Sequence, residues 1–167
     1  MKKMTEENAK AALAGESQAH IKYLNFAQKA RQENKPNVGR LFAAASYAEQ
    51  VHASAHLRVL QGVGGTSDNL AAAMAGEAFE VAEMYPSYLA VAKEQGEAQA
   101  ERSFFRAMDA EKVHYALYER AKAAVDAGRD AEIGDVWVCD ACGWTTEGAP
   151  PDECPLCKAK KERFTKF

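Results

Sequence analysis

No stretch of the 167-residue chain is apolar over the length a bilayer demands. No apolar core follows the N-terminal Met1-Lys2-Lys3-Met4-Thr5-Glu6-Glu7, which turns acidic at once. These absences argue against a membrane span and a secretory signal, and a soluble, cytoplasmic protein is expected. Charge of one sign is also missing. A formal net charge of -3 and a pI near 5.8 give no electrostatic footing for nucleic acid. Cysteine does not occur before Cys139, so no disulfide framework spans the chain. Proline and glycine are sparse up to Gly128, apart from a few positions that read as helix ends.

What is present is helical. Long segments rich in Ala, Leu, Glu, Gln, Lys and Arg, the strong helix formers, fill the first three quarters of the chain. The first helix is expected from about Thr5, a plausible N-cap, to Asn34, where Lys35-Pro36 stops it. The second is expected from about Asn37 to Gln61, with Gly62 as its stop. The third follows the capping cluster Thr66-Ser67-Asp68 and ends at Gly96, and the fourth runs from about Glu97 to Gly128. Pro86 falls inside the third, where it frees a carbonyl four residues back and should kink the helix. Short connections within each pair make two helix hairpins and hence a four-helix bundle. After Gly128 the composition turns to Gly, Pro, Cys and Trp. The expected division is therefore a helical domain 1–128, a linker 129–135 and a metal-stapled domain 136–167.

Two Glu-x-x-His pairs stand mid-helix: Glu49-Gln50-Val51-His52 and Glu111-Lys112-Val113-His114. Spacing of i,i+3 projects both donors of a pair from one helix face. A two-metal carboxylate site in a bundle uses two such pairs plus one Glu from each remaining helix. The first helix offers Glu16, and the third offers Glu77, Glu80 and Glu83. With 17 Glu and 4 His, a shuffled chain would hold roughly 0.4 such matches, so two in corresponding places favour a metal site over coincidence. Depth agrees: Glu77 and Glu80 precede the Gly96 turn by about as many residues as Glu111 follows it. Glu83 reads as a solvated helix residue, and His20 and His56 as non-ligands. Tyr23 and Tyr85 follow Glu16 and Glu77 by about two turns and either line the site or belong to the core.

The cysteines form Cys139-Asp140-Ala141-Cys142-Gly143 and Cys154-Pro155-Leu156-Cys157, a tetrahedral four-sulfur site for iron or zinc, between which spacing does not choose. Gly143 suits a tight turn whose N–H groups point at sulfur, whereas Lys158 occupies that place in the second pair. Trp137 and Trp144 either shield the metal or form the small domain's core.

The chain resembles the rubrerythrin family over essentially its whole length. The resemblance rests on Ala14-Gly15-Glu16-Ser17, Tyr47-Ala48-Glu49-Gln50-Val51-His52-Ala53, Ala75-Gly76-Glu77-Ala78-Phe79-Glu80, Glu83-Met84-Tyr85-Pro86, Ala110-Glu111-Lys112-Val113-His114 and the cysteine pairs. It departs at Lys158, where the family usually has Gly. The resemblance implies a mainly α chain, with a ferritin-like four-helix bundle and a small C-terminal rubredoxin-like four-cysteine metal domain. It implies two non-haem irons in the bundle and one iron on Cys139, Cys142, Cys154 and Cys157, with zinc possible at the latter. It also implies a peroxidase that reduces hydrogen peroxide to water. Electrons would come from NAD(P)H through a reductase, often with rubredoxin as carrier, and enter at the four-cysteine iron. By the same resemblance Glu49 and Glu111 bridge the irons, Glu16 is terminal on the first, and Glu77 and His114 are terminal on the second. His52 and Glu80 exchange as ligands of the first iron, and Tyr23 and Tyr85 hydrogen-bond near the site.

The connector Gly62 to Asn69 bears on assembly. With Glu49 and Glu77 level, the second helix ends roughly 18 Å beyond the site and the third begins roughly 12 Å before it. Adding one interhelix spacing gives roughly 32 Å, close to the reach of an extended connector this long. A domain-swapped homodimer is therefore expected, each bundle taking one hairpin from each chain. Two other functions compete: an iron-oxidising, ferritin-like iron-handling protein, and a zinc-knuckle structural module.

Overall fold

Helix α1 spans Lys3–Gln32 in a computed structural model that describes residues 1–167. It opens one turn earlier than the expected cap at Thr5, with extended Lys2 before it. The Glu6 N–H bonds the Lys2 carbonyl at 3.0 Å and closes that extra turn, and Lys10 pairs with Glu6 at 2.6 Å and Glu7 at 3.2 Å in the turn that follows. Helix α2 spans Pro36–Val59, with Pro36 in the first turn, where a missing N–H costs nothing. Its stop is not Gly62 but Gln61, which takes the left-handed conformation at φ +56°. The Gly62 N–H then bonds the Leu57 carbonyl at 3.0 Å, and a Cβ on Gly62 would lie 2.4 Å from Leu57 Cδ1. A side chain at Gly62 would have to displace the end of Leu57, and Gly62 itself does not take a left-handed angle.

The chain divides into two compact units, Met1–Gly64 and Gly65–Phe167. The first is the α1/α2 hairpin. Its helices are joined at Ser46, which is 2% exposed and donates its hydroxyl to the His20 carbonyl at 2.8 Å. His20 Nδ1 lies 2.8 Å from the Ser46 carbonyl in return. Tyr23, Phe26 and Phe42 pack together nearer the turn. Ile21, Leu24, Leu41, Tyr47 and Val51 remain exposed, so this hairpin carries apolar surface that its own two helices do not cover.

The second unit begins with α3, Thr66–Phe79, then a π-helical turn, Glu80–Met84, then α4, Tyr85–Glu94. The N-cap of α3 is Gly65, so Thr66, Ser67 and Asp68 form the first turn of the helix rather than precede it. Ser67 donates to Asp126 Oδ1 at 2.5 Å and tethers the start of α3 to the end of α5, Ala98–Asp126. The expected effect of Pro86 takes the form of this π turn: without a proline N–H the hydrogen-bond ladder is re-registered by one residue instead of simply broken. Gly96 at φ +69° closes the hairpin with α5.

After α5 come β1 (Val136–Cys139), β2 (Thr145–Glu147) and β3 (Phe164–Lys166), with a 3-10 turn at Lys161–Arg163. They form an antiparallel sheet in the order β2-β1-β3. Its core is Cys139, Cys154 and Phe164, with Trp137 and Trp144 packed against them, so both indoles serve as core around the sulfurs. Strand β2 rests on α5 through an Arg120–Glu147 ion pair. No helix is long and apolar enough to cross a membrane.

Candidate metal centres

Three donor clusters are present, each with one donor atom per residue within 4.8 Å of the others: Glu16/Glu49/His52, Glu77/Glu111/His114, and Cys139/Cys142/Cys154/Cys157. The first two have the same construction. A Glu-x-x-His pair on one helix meets a single Glu from the neighbouring helix of its hairpin, as i,i+3 projection requires. In the first, His52 Nδ1 is 2.9 Å from Glu49 Oε2. In the second, His114 Nδ1 is 2.6 Å from Glu111 Oε2 and 3.8 Å from Glu77 Oε1.

Electrostatics in the second cluster suit a cation. Burial, and then the facing Glu111 carboxylate, push Glu77 up to about 7. Glu80 lies outside the three-residue cluster but faces it: burial and Glu111 hold its carboxyl above the ordinary range. Carboxylates that oppose one another's ionisation in a half-buried place are what a bound metal ion would relieve, and this set of two carboxylates and an imidazole fits one.

Tyr85 belongs to this cluster's surroundings. It stands eight residues beyond Glu77, more than two ordinary turns, but the π turn between them absorbs about one extra residue and restores the shared face. Burial, with Glu80, Glu111 and Glu77 nearby, raises its phenol above the usual value. Tyr118 was not anticipated; its ring centroid is 6.5 Å from that of His114, and burial with Glu77 and Glu111 raises its phenol too. Its spacing, four residues after His114, was the available signal. Tyr23 packs with Phe26 and Phe42, Glu83 is exposed, and neither His20 nor His56 joins a donor cluster.

The four sulfurs sit in matched hairpin turns, Cys139 Sγ to Cys157 Sγ and Cys142 Sγ to Cys154 Sγ both 3.6 Å. A tetrahedral ion with metal–sulfur bonds near about 2.3 Å has edges of about 3.8 Å, so the cage is of the right size. Burial raises the Cys139 and Cys142 thiols, while the Ala141 and Trp144 N–H groups pull the other way. At Cys157 burial is outweighed by the Ala159 N–H and the neighbouring sulfurs, which bring it down to about 7. Lys158 takes the left-handed turn at φ +63°, as Gly143 does at φ +80°, so the second turn is built like the first despite its lysine.

Thr145 was also not anticipated, and no local signal marks it. Its Oγ1 lies 2.8 Å from His114 Nε2, which places strand β2 directly behind the second cluster.

The sequence matches the family description "Rubrerythrin" over residues 7–122 and "Rubrerythrin, rubredoxin-like domain" over residues 137–165. It is 39% identical to Rubrerythrin-2 of Clostridium acetobutylicum, covering 98% of this chain and 97% of that one. Nigerythrin of Nitratidesulfovibrio vulgaris is 34% identical, over 98% of this chain and 86% of that one. Rubrerythrin of the same organism is 32% identical, over 96% and 92%. Among solved structures, the mixed-valence state of nigerythrin superposes with a TM-score of 0.56 at 33% identity, over 98% of this chain and 86% of that one. The all-ferrous state of nigerythrin gives a TM-score of 0.57 at 32% identity, over 98% and 86%. Two Glu-x-x-His clusters, a four-sulfur cage behind one of them and this likeness along nearly the full length agree: the chain belongs to the rubrerythrin family, with its di-iron and rubredoxin-like four-cysteine sites.

Proposed function

We propose that the protein is a non-haem di-iron peroxidase, converting hydrogen peroxide, two electrons and two protons to two molecules of water. The observation that carries this reading is that the Glu77/Glu111/His114 cluster and the four-sulfur cage share one compact unit, joined at His114 and Thr145. The iron pair, when bound, supplies two electrons to the O–O bond, and the four-thiolate iron passes electrons singly. Electrons come from NAD(P)H through a reductase, with rubredoxin as a carrier, in the cytoplasm. The organisation is a bundle domain 1–128, a linker 129–135 and a rubredoxin-like domain 136–167.

With metal bound, Glu49 and Glu111 would be shared between the two ions, Glu16 would complete the first position, and Glu77 and His114 would hold the second. His52 and Glu80 would serve as alternative ligands at the first position. The structure supports the asymmetry this requires: the His52 side chain is 56% exposed and bonds only at Nδ1, whereas that of His114 is 27% exposed and bonds at both nitrogens. The Tyr85 phenol remains protonated at neutral pH and can donate its proton beside Glu80. The protein works as a homodimer in which each bundle takes one hairpin from each chain, which covers the apolar faces that each hairpin leaves open.

Iron analysis, the visible spectrum and oxidation kinetics test the reading together. Native protein should hold three irons and show iron–thiolate colour. After anaerobic reduction, the colour should return faster with hydrogen peroxide than with dioxygen. Faster return with dioxygen and growth of a ferric core on added iron would favour the iron-handling function instead. Zinc in place of the thiolate iron in native material would remove the electron-entry role.

A further inference from the structure

His114 uses its two ring nitrogens for different purposes. Nδ1 faces Glu111 and Glu77, at 2.6 and 3.8 Å, and so belongs to the donor cluster. Nε2 points out of the cluster to Thr145 Oγ1 at 2.8 Å. Thr145 is 5% exposed, and its own hydroxyl proton has a partner in the Gly143 carbonyl at 3.0 Å. With that proton committed, a lone pair of Oγ1 is left to accept the Nε2–H. At 2.6 Å, Nδ1 and Glu111 Oε2 share a hydrogen that a bound metal ion would replace, while the Nε2–H kept on Thr145 fixes the plane of the ring.

From this geometry we propose that Thr145 of the rubredoxin-like part is a positioning residue for His114, holding its Nε2–H so that Nδ1 is the nitrogen left to exchange its Glu111 hydrogen bond for a metal ion. The proposal rests on His114 being a metal ligand and goes beyond it by assigning a ligand-orienting role to a residue outside the helical hairpins. Strand β2 is in turn held on α5 by Arg120 against Glu147, and Glu147 Oε1 accepts the Gly134 N–H at 2.8 Å. The rubredoxin-like part is thereby a structural component of the second metal position as well as an electron donor to it. The same hydroxyl joins the two donor sets: two hydrogen bonds, His114 to Thr145 and Thr145 to Gly143, end one peptide from Cys142. His52 has no equivalent bond at Nε2, so the pinning belongs to one of the two imidazoles.

The test uses the full-length protein with Zn²⁺ as a diamagnetic occupant and ¹⁵N-imidazole NMR, with no peroxide present. In the wild type, binding at Nδ1 should leave His114 with a slowly exchanging Nε2–H, in contrast to His52. Thr145→Val should lose that protection and weaken Zn²⁺ binding at His114 on the order of 10- to 100-fold, and Thr145→Ser should restore both. Retained thiolate-metal absorption in Thr145→Val shows that the four-sulfur cage is intact. If Thr145→Val keeps a protected Nε2–H and wild-type affinity, the proposal is wrong. Equal exchange of the two histidines in the wild type overturns it without any variant. Zinc that shifts neither histidine overturns the ligand reading beneath it, whereas a defect confined to peroxide turnover would touch only the proposed reaction.

Discussion

Lys158 and Gly143 occupy equivalent places in the two cysteine turns, and both adopt left-handed backbone angles, φ +63° and φ +80°. In each turn the left-handed residue donates its N–H to the first cysteine's carbonyl, Lys158 to Cys154 at 3.0 Å and Gly143 to Cys139 at 2.8 Å. It also swings the next N–H, of Ala159 or Trp144, toward the second sulfur. A side chain with Cβ costs about 1–2 kcal/mol in this conformation, and glycine avoids that while losing more entropy on folding. Lys158→Gly should therefore stabilise the rubredoxin-like part by about 1 kcal/mol. Denaturant titration followed by loss of thiolate colour checks this; a lowered midpoint would mean that the Lys158 Nζ bond to the Pro155 carbonyl outweighs the strain.

Metal uptake should depend on pH through Glu77. Its proton is held to about pH 7 by burial and the facing Glu111, against an ordinary value of 4.5. The sign follows from which state keeps the proton. Between about pH 4.5 and 7 the metal-free folded state binds more protons than the unfolded chain, so its stability falls as pH rises through that window. A metal ion must displace the proton, so affinity at this position should drop as pH falls below about 7. Calorimetry in buffers of different ionisation enthalpy should find proton release at neutral pH that Glu77→Gln reduces.

The π turn bears on the role of Glu80, the first residue of that segment. If Glu80 exchanges with His52 at the first metal position, Glu80→Ala should retain the iron content of the cysteine cage and lose most peroxide turnover, on the order of 10-fold or more. Unchanged turnover would remove the exchange from the mechanism.

Assembly can be tested by complementation. Glu49→Ala disables the first hairpin and Glu111→Ala the second. In a swapped heterodimer of these two chains, one bundle receives both lesions and the other receives none. Such a heterodimer should recover about half of the wild-type activity per dimer, by this allocation of hairpins. An inactive heterodimer would show that each chain builds its bundle from its own two hairpins.

Ser46 offers a purely structural counterpart. It is 2% exposed and bonded to His20 at both carbonyl and ring, so Ser46→Val must find room for a larger side chain and leaves His20 Nδ1 without the hydroxyl. A loss of about 1–3 kcal/mol is expected in thermal or denaturant unfolding, with the Glu49/His52 cluster retaining its metal affinity.

The helical pattern and the donor types were open to reading from the sequence because both are local. Residue propensities set the four long helices, and i,i+3 spacing alone placed Glu49 with His52 and Glu111 with His114 on one face. Paired Cys-x-x-Cys spacing did the same for the cage. Helix ends were less legible. Gln61 rather than Gly62 takes the left-handed angle that ends α2, and Ser67 pairs with Asp126 on a helix far along the chain. The form of the Pro86 disturbance also depended on packing. A missing N–H permits a kink or a π turn, and the π turn is the one that brings Tyr85 back to the face of Glu77.

By itself, then, the sequence determined which chemical groups this protein holds and how each Glu-x-x-His and Cys-x-x-Cys pair is presented, since a helix or tight turn fixes neighbours three residues apart. Only the tertiary structure decided what stands behind those groups. Thr145 reaches His114, 31 residues away, because strand β2 docks on α5, and the left-handed turn at Lys158 persists because the folded cage constrains it. Contacts between distant segments depend on the whole fold's packing, and no spacing rule along the chain encodes them.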